Sequence, residues 1–313
     1  RHKRMAATGS HPVGHRISFG ERVFLFFLYV FFLLFTLICV YPFYYLIINS
    51  ISANDVSARG DVMFYPIGIH FQNYVDVMKI QGLGQAALIS VGRTVLGTLC
   101  TIIGSSFLGF MFTQEKLWHR KFWYRFTVAT MYFSAGLIPW YITMMNLHLT
   151  NNFLAYILPA IVQPFNIILI KTYIENTPAS LQEAAEIDGA GVLRIYAQVI
   201  VPISMPVLAT VAIFAAVGQW NAFQDTLMLM TDQDLYTLQY TLYQYINQAS
   251  SLARMIESSG GSISDSVIAA ATQQTPTSVR MTVSVVVVLP ILLVYPIFQR
   301  FFVKGIMIGS VKG

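Results

Sequence analysis

Charge is what this sequence has least of. Asp, Glu, Lys and Arg make up 11% of 313 residues, against 56% hydrophobic residues and a mean hydropathy of +0.61. That is too little charge to dress an ordinary soluble surface, so much of the chain is expected to face lipid. A phosphate-cradling loop of the form G-x-x-x-x-G-K-[ST] needs a Gly-Lys pair, and none occurs, so the chain cannot itself be an ATP-driven motor. H-E-x-x-H and G-x-S-x-G are also missing, and the six histidines (His2, His11, His15, His70, His119, His148) are scattered, which leaves no catalytic or metal-binding constellation. Cysteine is limited to Cys39 and Cys100, both inside apolar runs, where free thiols packed as small apolar groups and no disulfide are expected. The candidates for charge within the membrane are limited to Arg93 and Lys171, whereas ion-coupled carriers and pumps usually hold several ionisable groups there.

What is present is a set of long uncharged runs. Val23 to Asn54 and Thr94 to Gln114 are each long enough for the roughly 20 residues that cross a hydrocarbon core. Phe126 to Ile170 is too long for one crossing and is divided by the polar stretch 146–152, read as a tight hairpin turn. Ile195 to Gln224 and Met281 to Gln299 complete the set. The pattern predicts an all-α integral membrane protein with six transmembrane helices near 23–48, 86–112, 124–145, 153–175, 203–225 and 278–300.

Lys and Arg concentrate on cytoplasmic flanks. Arg1, Lys3, Arg4, Arg16 and Arg22 precede the first helix, Lys116, Arg120, Lys121 and Arg125 sit at the second-to-third turn, Arg194 follows the fourth helix, and Arg300, Lys304 and Lys312 close the chain. The opposite loops, 49–85 and 226–277, hold only Arg59, Lys79 and Arg254, which places both termini in the cytoplasm. The basic start therefore reports topology rather than nucleic-acid binding. The first apolar stretch outruns a signal-peptide core and ends without a small-residue cleavage site, so it is expected to remain as an anchor.

Residues 1–22 read as a cytoplasmic tail without a folded domain, and 23–313 as the transmembrane domain. Tyr65-Pro66-Ile67-Gly68 suggests a compact cap on loop 49–85. In loop 226–277, residues 235–246 place large apolar groups three and four apart, the mark of an amphipathic helix outside the lipid, whereas 258–277 is small, polar and expected to be mobile.

The segment after the fourth helix, 177–202, is written as two short helices. Thr177 can cap, Pro178 suits a first turn, Ser180-x-x-Glu183 fits a capping box, and Gly189 stands where a left-handed terminator belongs. A second short helix follows from Gly191 to Val201, ended by Pro202. Leu181, Ala184, Ala185 and Asp188 share one side of the first, where small residues allow a partner backbone to approach. A docking helix and a simple connector are both compatible with this pattern.

Glu183-Ala184-Ala185, Gly189 and Val199-Ile200-Val201-Pro202 fall at the spacing E-A-A, three residues, G, nine residues, I-x-L-P. This resembles the EAA loop of the permeases of ABC importers, with Val199 and Val201 replacing Ile and Leu. The run Glu183 to Gly191 is similar to the maltose-type carbohydrate branch. Gly136-Leu137-Ile138-Pro139, Gln219-Trp220-Asn221-Ala222-Phe223 and Phe301 to Gly309 agree with it, so that the resemblance covers roughly residues 20 to 313. It implies a type I importer permease: one of two homologous permease subunits that form the path for an oligosaccharide, served by a cytoplasmic ATPase dimer that carries ATP and Mg, and by an extracytoplasmic sugar-binding protein. The chain itself would be no enzyme and bind no cofactor or metal. Glu183, Ala184, Ala185, Asp188, Gly189 and Pro202 would couple to the ATPase, with Glu183 as its charged contact and Gly189 as the turn.

Candidates for the sugar path are Arg93, Gln219, Trp220 and Asn221. A snorkelling or carbonyl-bonded arginine is the alternative for Arg93, and packing at a helix bend is the alternative for the other three. Tyr236, Tyr240 and Tyr243 are candidates for touching the binding protein, or else face a core. A secondary sugar carrier that works without an ATPase is the rival reading of the whole chain.

Overall fold

The computed structural model describes residues 18–247 and 280–293, together with Thr277 and Pro296. The described chain is helical, and its first element, α1 (Phe19–Ser50), starts four residues before the predicted span. Ser18 N donates to Glu21 Oε2 at 2.7 Å at its start. At 1.5 Å per residue its 32 residues reach roughly 48 Å, more than a hydrocarbon core requires. The most apolar stretch of α1 buries nothing inside the chain, so its Phe and Leu side chains have lipid or another subunit as their only apolar surroundings. Cys39 is exposed on this helix and Cys100 is half-buried, both free; the expected packing of Cys39 inside the chain does not occur.

The C-terminal end of α1 is stitched to the 49–85 loop, which forms the compact cap expected of it, with α2 (Asn54–Arg59) and α3 (Gln72–Met78). Fully buried Asn49 donates to Val62 O at 3.2 Å and accepts from Ser57 Oγ at 2.8 Å, and Asn73 Nδ2 donates to Ser50 O at 3.0 Å.

α4 (Leu83–Met111) is the central strut of the fold. Ser90, Arg93, Gly97, Thr101, Ser105 and Gly109 recur every three or four residues on its buried side, and small groups there let neighbouring backbones come close. Thr101 Oγ1 donates to Ala160 O at 2.8 Å. A Cβ built on Gly104 would lie 2.8 Å from Ile161 O, so glycine is what permits this approach.

The predicted span 124–145 is not one helix. α5 (Arg120–Thr130) and α6 (Leu137–Asn146) are separated at 131–136, where Gly136 takes φ 85°. Pro139 explains the interruption, because it lacks the N–H that a continuous helix would donate to residue 135. The predicted hairpin at 146–152 is a turn in which His148 and Asn151 adopt positive φ. Asn151 also grips a distant segment, its Oδ1 accepting from Thr231 N at 2.7 Å and Asp232 N at 3.1 Å.

The remaining spans are bent as well. The predicted helix 153–175 consists of 3-10 turns at Phe153–Tyr156 and Leu158–Ala160, then α7 (Pro164–Glu175), with a bend of 43°. After α8 (Ser180–Ile187) come α9 (Val192–Ile195), a π turn at Tyr196–Ile200 and α10 (Val201–Ile203). The chain then turns by 82° into α11 (Met205–Asn221). Pro202 and Pro206 each remove a helical donor around this bend, which moves the start of the predicted span 203–225 to Met205; its end falls at Asn221. α12 (Gln224–Leu229), a 3-10 turn at Gln233–Leu235, α13 (238–247) and α14 (Arg280–Leu293) follow.

Among the described residues two helices are by themselves long and apolar enough to cross a membrane, and up to four crossings result if each bent pair counts as one. The core is divided among three clusters. Phe110, Ile170, Ile174, Ile200 and Val211 join α4, α7 and the segment leading to α11, while Met144, Tyr156 and Leu229 join α6 to α12. Val77, Ala86, Leu238 and Val283 join α3, α4, α13 and α14. The expected mobile stretch 258–277 falls, save Thr277, outside the described residues, as do most of the tail and the closing motif 301–309.

Candidate functional site

Arg93 lies on α4 and is 2% exposed. Its guanidinium holds both oxygens of Asp225, at 3.1 and 2.5 Å, donates from Nη1 to Ala222 O at 3.2 Å and from Nε to Gln219 Oε1 at 3.1 Å. Its carbon centre also stands 4.3 Å from the Tyr156 ring centroid. The side chain therefore spans the break between α11 and α12, taking a carbonyl at the end of one and a carboxylate in the first turn of the other. The snorkelling alternative is ruled out by this burial, and the carbonyl-bonded one holds only in part, since the main partner is a carboxylate. Asp225 escaped sequence reading because it stands one residue beyond the uncharged run ending at Gln224.

The network continues outward. Gln219 Nε2 donates to Tyr156 O at 3.1 Å, the Tyr156 hydroxyl donates to Leu235 O at 2.7 Å, and Leu238 N donates to Ser90 Oγ at 2.8 Å, back on α4. Arg93, Tyr156, Gln219 and Asp225 line a cavity of about 440 Å³. A neighbouring cavity of about 700 Å³ shares Trp140, Ala222 and Asp225 with it, so the two form adjoining chambers.

Of the four path candidates, Arg93 and Gln219 are thus brought together at this cavity. Trp220 and Asn221 are not among its lining residues: the Trp220 indole donates to Val287 O at 3.0 Å on α14, and Asn221 Oδ1 accepts from Gln239 Nε2 at 3.1 Å. Trp140, Tyr156, Asn166 and Asp225 are among the lining residues that sequence reasoning missed.

The tyrosine stripe folds mainly onto itself. Tyr236 and Tyr240 meet edge-on at 4.7 Å, Tyr243 stacks on Phe223 at 4.9 Å, and Tyr240 is buried. The helix carrying it begins at Leu238, so Tyr236 precedes it.

In the 177–202 segment the expected cap does not form. Thr177 Oγ1 donates at 2.5 Å to Ile174 O, closing α7, and the N-cap of α8 is Ala179. Glu183 is exposed in the first turn of α8, and Gly189 takes φ 77° between the two short helices. The side expected to be shared divides: Ala185 packs against the cluster of Phe110 and Ile170, whereas Leu181, Ala184 and Asp188 are exposed. Ile187 and Leu193, 87% and 68% exposed, extend an apolar surface with nothing of this chain against it. Pro202 does not end the second helix but lies within it, and the end comes at Ser204. The segment is also tied to the far end of α4, through Gln114 Nε2 to Gln182 Oε1 at 3.2 Å and Lys116 Nζ to Glu186 at 3.3 Å. Lys171 is not a free snorkelling side chain: its ammonium pairs with Glu175 at 2.6 Å and sits 4.4 Å from the Tyr124 ring centroid.

No family model matches the chain. Individual relatives do. The polygalacturonan/rhamnogalacturonan transport system permease protein YtcP of Bacillus subtilis is 32% identical over 293 residues, covering 94% of this chain and 99% of the relative. The chain belongs to the carbohydrate ABC-importer permease family. The arabinooligosaccharides transport system permease protein AraQ of Halalkalibacterium halodurans is 26% identical over 285 residues, 88% of this chain and 92% of its own. A crystal structure of a bacterial ABC transporter involved in the import of the acidic polysaccharide alginate superposes with a TM-score of 0.80 at 26% identity, covering 91% of this permease and 98% of that chain. The rival secondary-carrier reading finds no support among these relatives. As an importer permease, the protein is a membrane transport subunit, and the helix breaks at 131–136 and around 159–163 line the two cavities.

Proposed function

We propose that this permease forms half of the path for an oligosaccharide released from a polysaccharide, with six spans, both termini in the cytoplasm and the bacterial inner membrane as its location. ATP and Mg are bound on a separate ATPase dimer that receives the 177–202 segment. A second homologous permease supplies the other half of the path, and an extracytoplasmic sugar-binding protein delivers cargo to the side of loops 49–85 and 226–277, where Tyr236, Tyr240 and Tyr243 lie. The polygalacturonan/rhamnogalacturonan and arabinooligosaccharides for which YtcP and AraQ are named favour this cargo class.

The observation that carries the reading is the pair of exposed apolar side chains Ile187 and Leu193 on either side of the Gly189 turn, at the EAA spacing. Apolar groups of that size on a short rigid helix pair suit a groove on a partner. The mechanism follows from what the segment is attached to. Displacing α8 moves Gln182 and Glu186 and with them Gln114, just past the end of α4 at Met111, while Arg93, on the same helix and roughly 27 Å from that end, holds the wall of the cavity. A second route runs from α9 through the Ser204 bend into α11, which carries Gln219. Both routes end on the Arg93 network, so motion of the coupling segment reaches the chamber walls through two packed helices.

Purification in mild detergent tests the proposal. A second permease and an ATPase are expected to co-purify, with ATPase activity rising on addition of sugar-loaded binding protein. Ion-driven sugar uptake by liposomes containing this chain alone would sink it.

A further inference from the structure

The cavity behind Arg93 holds a polar group with nothing to bind. Asn166, in the first turn of α7, is 6% exposed, lines the cavity, and has no hydrogen-bond partner for its side chain among the described residues. Its amide atoms are open to the cavity rather than sealed in the core, so a molecule that enters the cavity can take hydrogen bonds that no group of the chain takes. Two further groups face the same space. Trp140, half-buried at the junction of the chambers, offers a flat apolar ring, and the Asp225 carboxylate, 18% exposed, has acceptor capacity beyond its bonds to Arg93. An aromatic face beside an amide and a carboxylate matches a sugar ring, apolar on one side and edged with hydroxyls.

The charge of the walls narrows the class. Among the described residues lining either chamber Arg93 is the only cation, and its guanidinium is consumed by Asp225, Gln219 and Ala222. A carboxylated sugar would meet Asp225 with no open cation to offset the repulsion. We propose that this cavity is a subsite for one uncharged glycosyl unit, with Asn166 and Asp225 taking hydroxyls and Trp140 taking the apolar ring face. The inference rests on the importer reading. Its volume of about 440 Å³ lies within the ordinary range of small-molecule sites.

The test uses the full chain in lipid nanodiscs and saturation-transfer NMR with two probes, raffinose as a neutral trisaccharide and trigalacturonate as an acidic one. Raffinose is expected to give transfer at least fivefold above trigalacturonate at equal concentration. Asn166→Leu, close in volume, is expected to cut the raffinose signal at least fivefold while leaving the unfolding midpoint unchanged or higher, because it removes an unpaired amide. A lowered midpoint would make Asn166 a structural residue and overturn the subsite. Raffinose transfer that persists in Asn166→Leu, equal transfer from both sugars, or none from either would overturn it too. ATPase retention by the same preparation keeps the two readings apart. A chain that holds its ATPase yet binds neither sugar loses the subsite and keeps the importer assignment, whereas one that binds raffinose through Asn166 without an ATPase does the reverse.

Discussion

Arg93 and Asp225, 132 residues apart in the chain, share two hydrogen bonds at 3.1 and 2.5 Å and fasten α4 to the break between α11 and α12. The pair is deeply placed, with side-chain exposures of 2% and 18%. Removing one partner leaves an uncompensated charge, whereas removing both leaves none. Arg93→Met is therefore expected to cost about 3–5 kcal/mol, and the double variant Arg93→Met/Asp225→Leu distinctly less. Thermal unfolding of the purified chain measures it, and a double variant as unstable as the sum of the singles would count against the pair as a unit.

Gly104 supports a second prediction. A Cβ there would fall 2.7 Å from Ile161 Cγ2 and 2.8 Å from the Ile161 carbonyl oxygen, and the carbonyl belongs to backbone that cannot swing aside. Gly104→Ala should destabilise by about 1–3 kcal/mol through overpacking. Gly92→Ala on the same helix is the control, since its nearest atom would be Phe153 Cζ at 3.5 Å, an ordinary contact. Equal unfolding midpoints for the two variants would show that the 158–161 turn moves freely away from α4.

The contrast between these sites shows what the sequence could reveal. Apolar runs marked where helices lie, because the absence of charge is a property of composition. Their breaks depended on single residues: Pro139 behind Gly136, and Pro202 with Pro206 around Ser204, where the helix loses donors and bends by 82°. The EAA spacing was legible because its residues are neighbours in sequence. Arg93 stood out as a charge about seven residues into a predicted span, whereas its partner Asp225 was the last residue of the predicted span 203–225, where a charge at a helix end draws no notice. Asn166 carries no motif at all, and only its burial beside an empty space sets it apart. Thr177 misled for a local reason, since the end of α7 and the start of α8 compete for the same hydroxyl and Ile174 O wins at 2.5 Å.

Orientation gives a third prediction. The charge asymmetry puts 177–202 inside and 226–247 outside. In a background with Cys39 and Cys100 replaced, Gln233→Cys should react with an impermeant thiol reagent on intact cells and Leu193→Cys only after permeabilisation. Both native positions are exposed in the folded chain, so access is decided by the membrane rather than by packing. Labelling of Leu193→Cys from outside would reverse the topology and remove the ATPase from reach of the EAA segment.

The last prediction concerns that segment and separates its geometry from its charge. Gly189 takes φ 77°, and a Cβ added there would meet nothing within 4 Å. Any penalty must then come from the backbone, not from collision within the chain. Gly189→Val should cost about 1–2 kcal/mol of local conformational energy and shift Ile187 and Leu193 relative to each other, whereas Gly189→Asn should be nearly silent, because asparagine visits the left-handed region. Glu183 tests the charge, being exposed in the first turn of α8. If its carboxylate binds the ATPase, Glu183→Ala should weaken docking by about 1.5–3 kcal/mol; if it only serves the helix end, the loss should stay within about 0.3–1 kcal/mol. The measurement is ATPase retention on the purified permease pair, followed by sugar uptake at matched membrane levels. The expected order of retention is wild type and Gly189→Asn highest, Glu183→Ala below them, and Gly189→Val lowest. Full retention and full uptake by both Glu183→Ala and Gly189→Val would mean that residues 183–189 are a connector, and that the ATPase docks elsewhere on this chain.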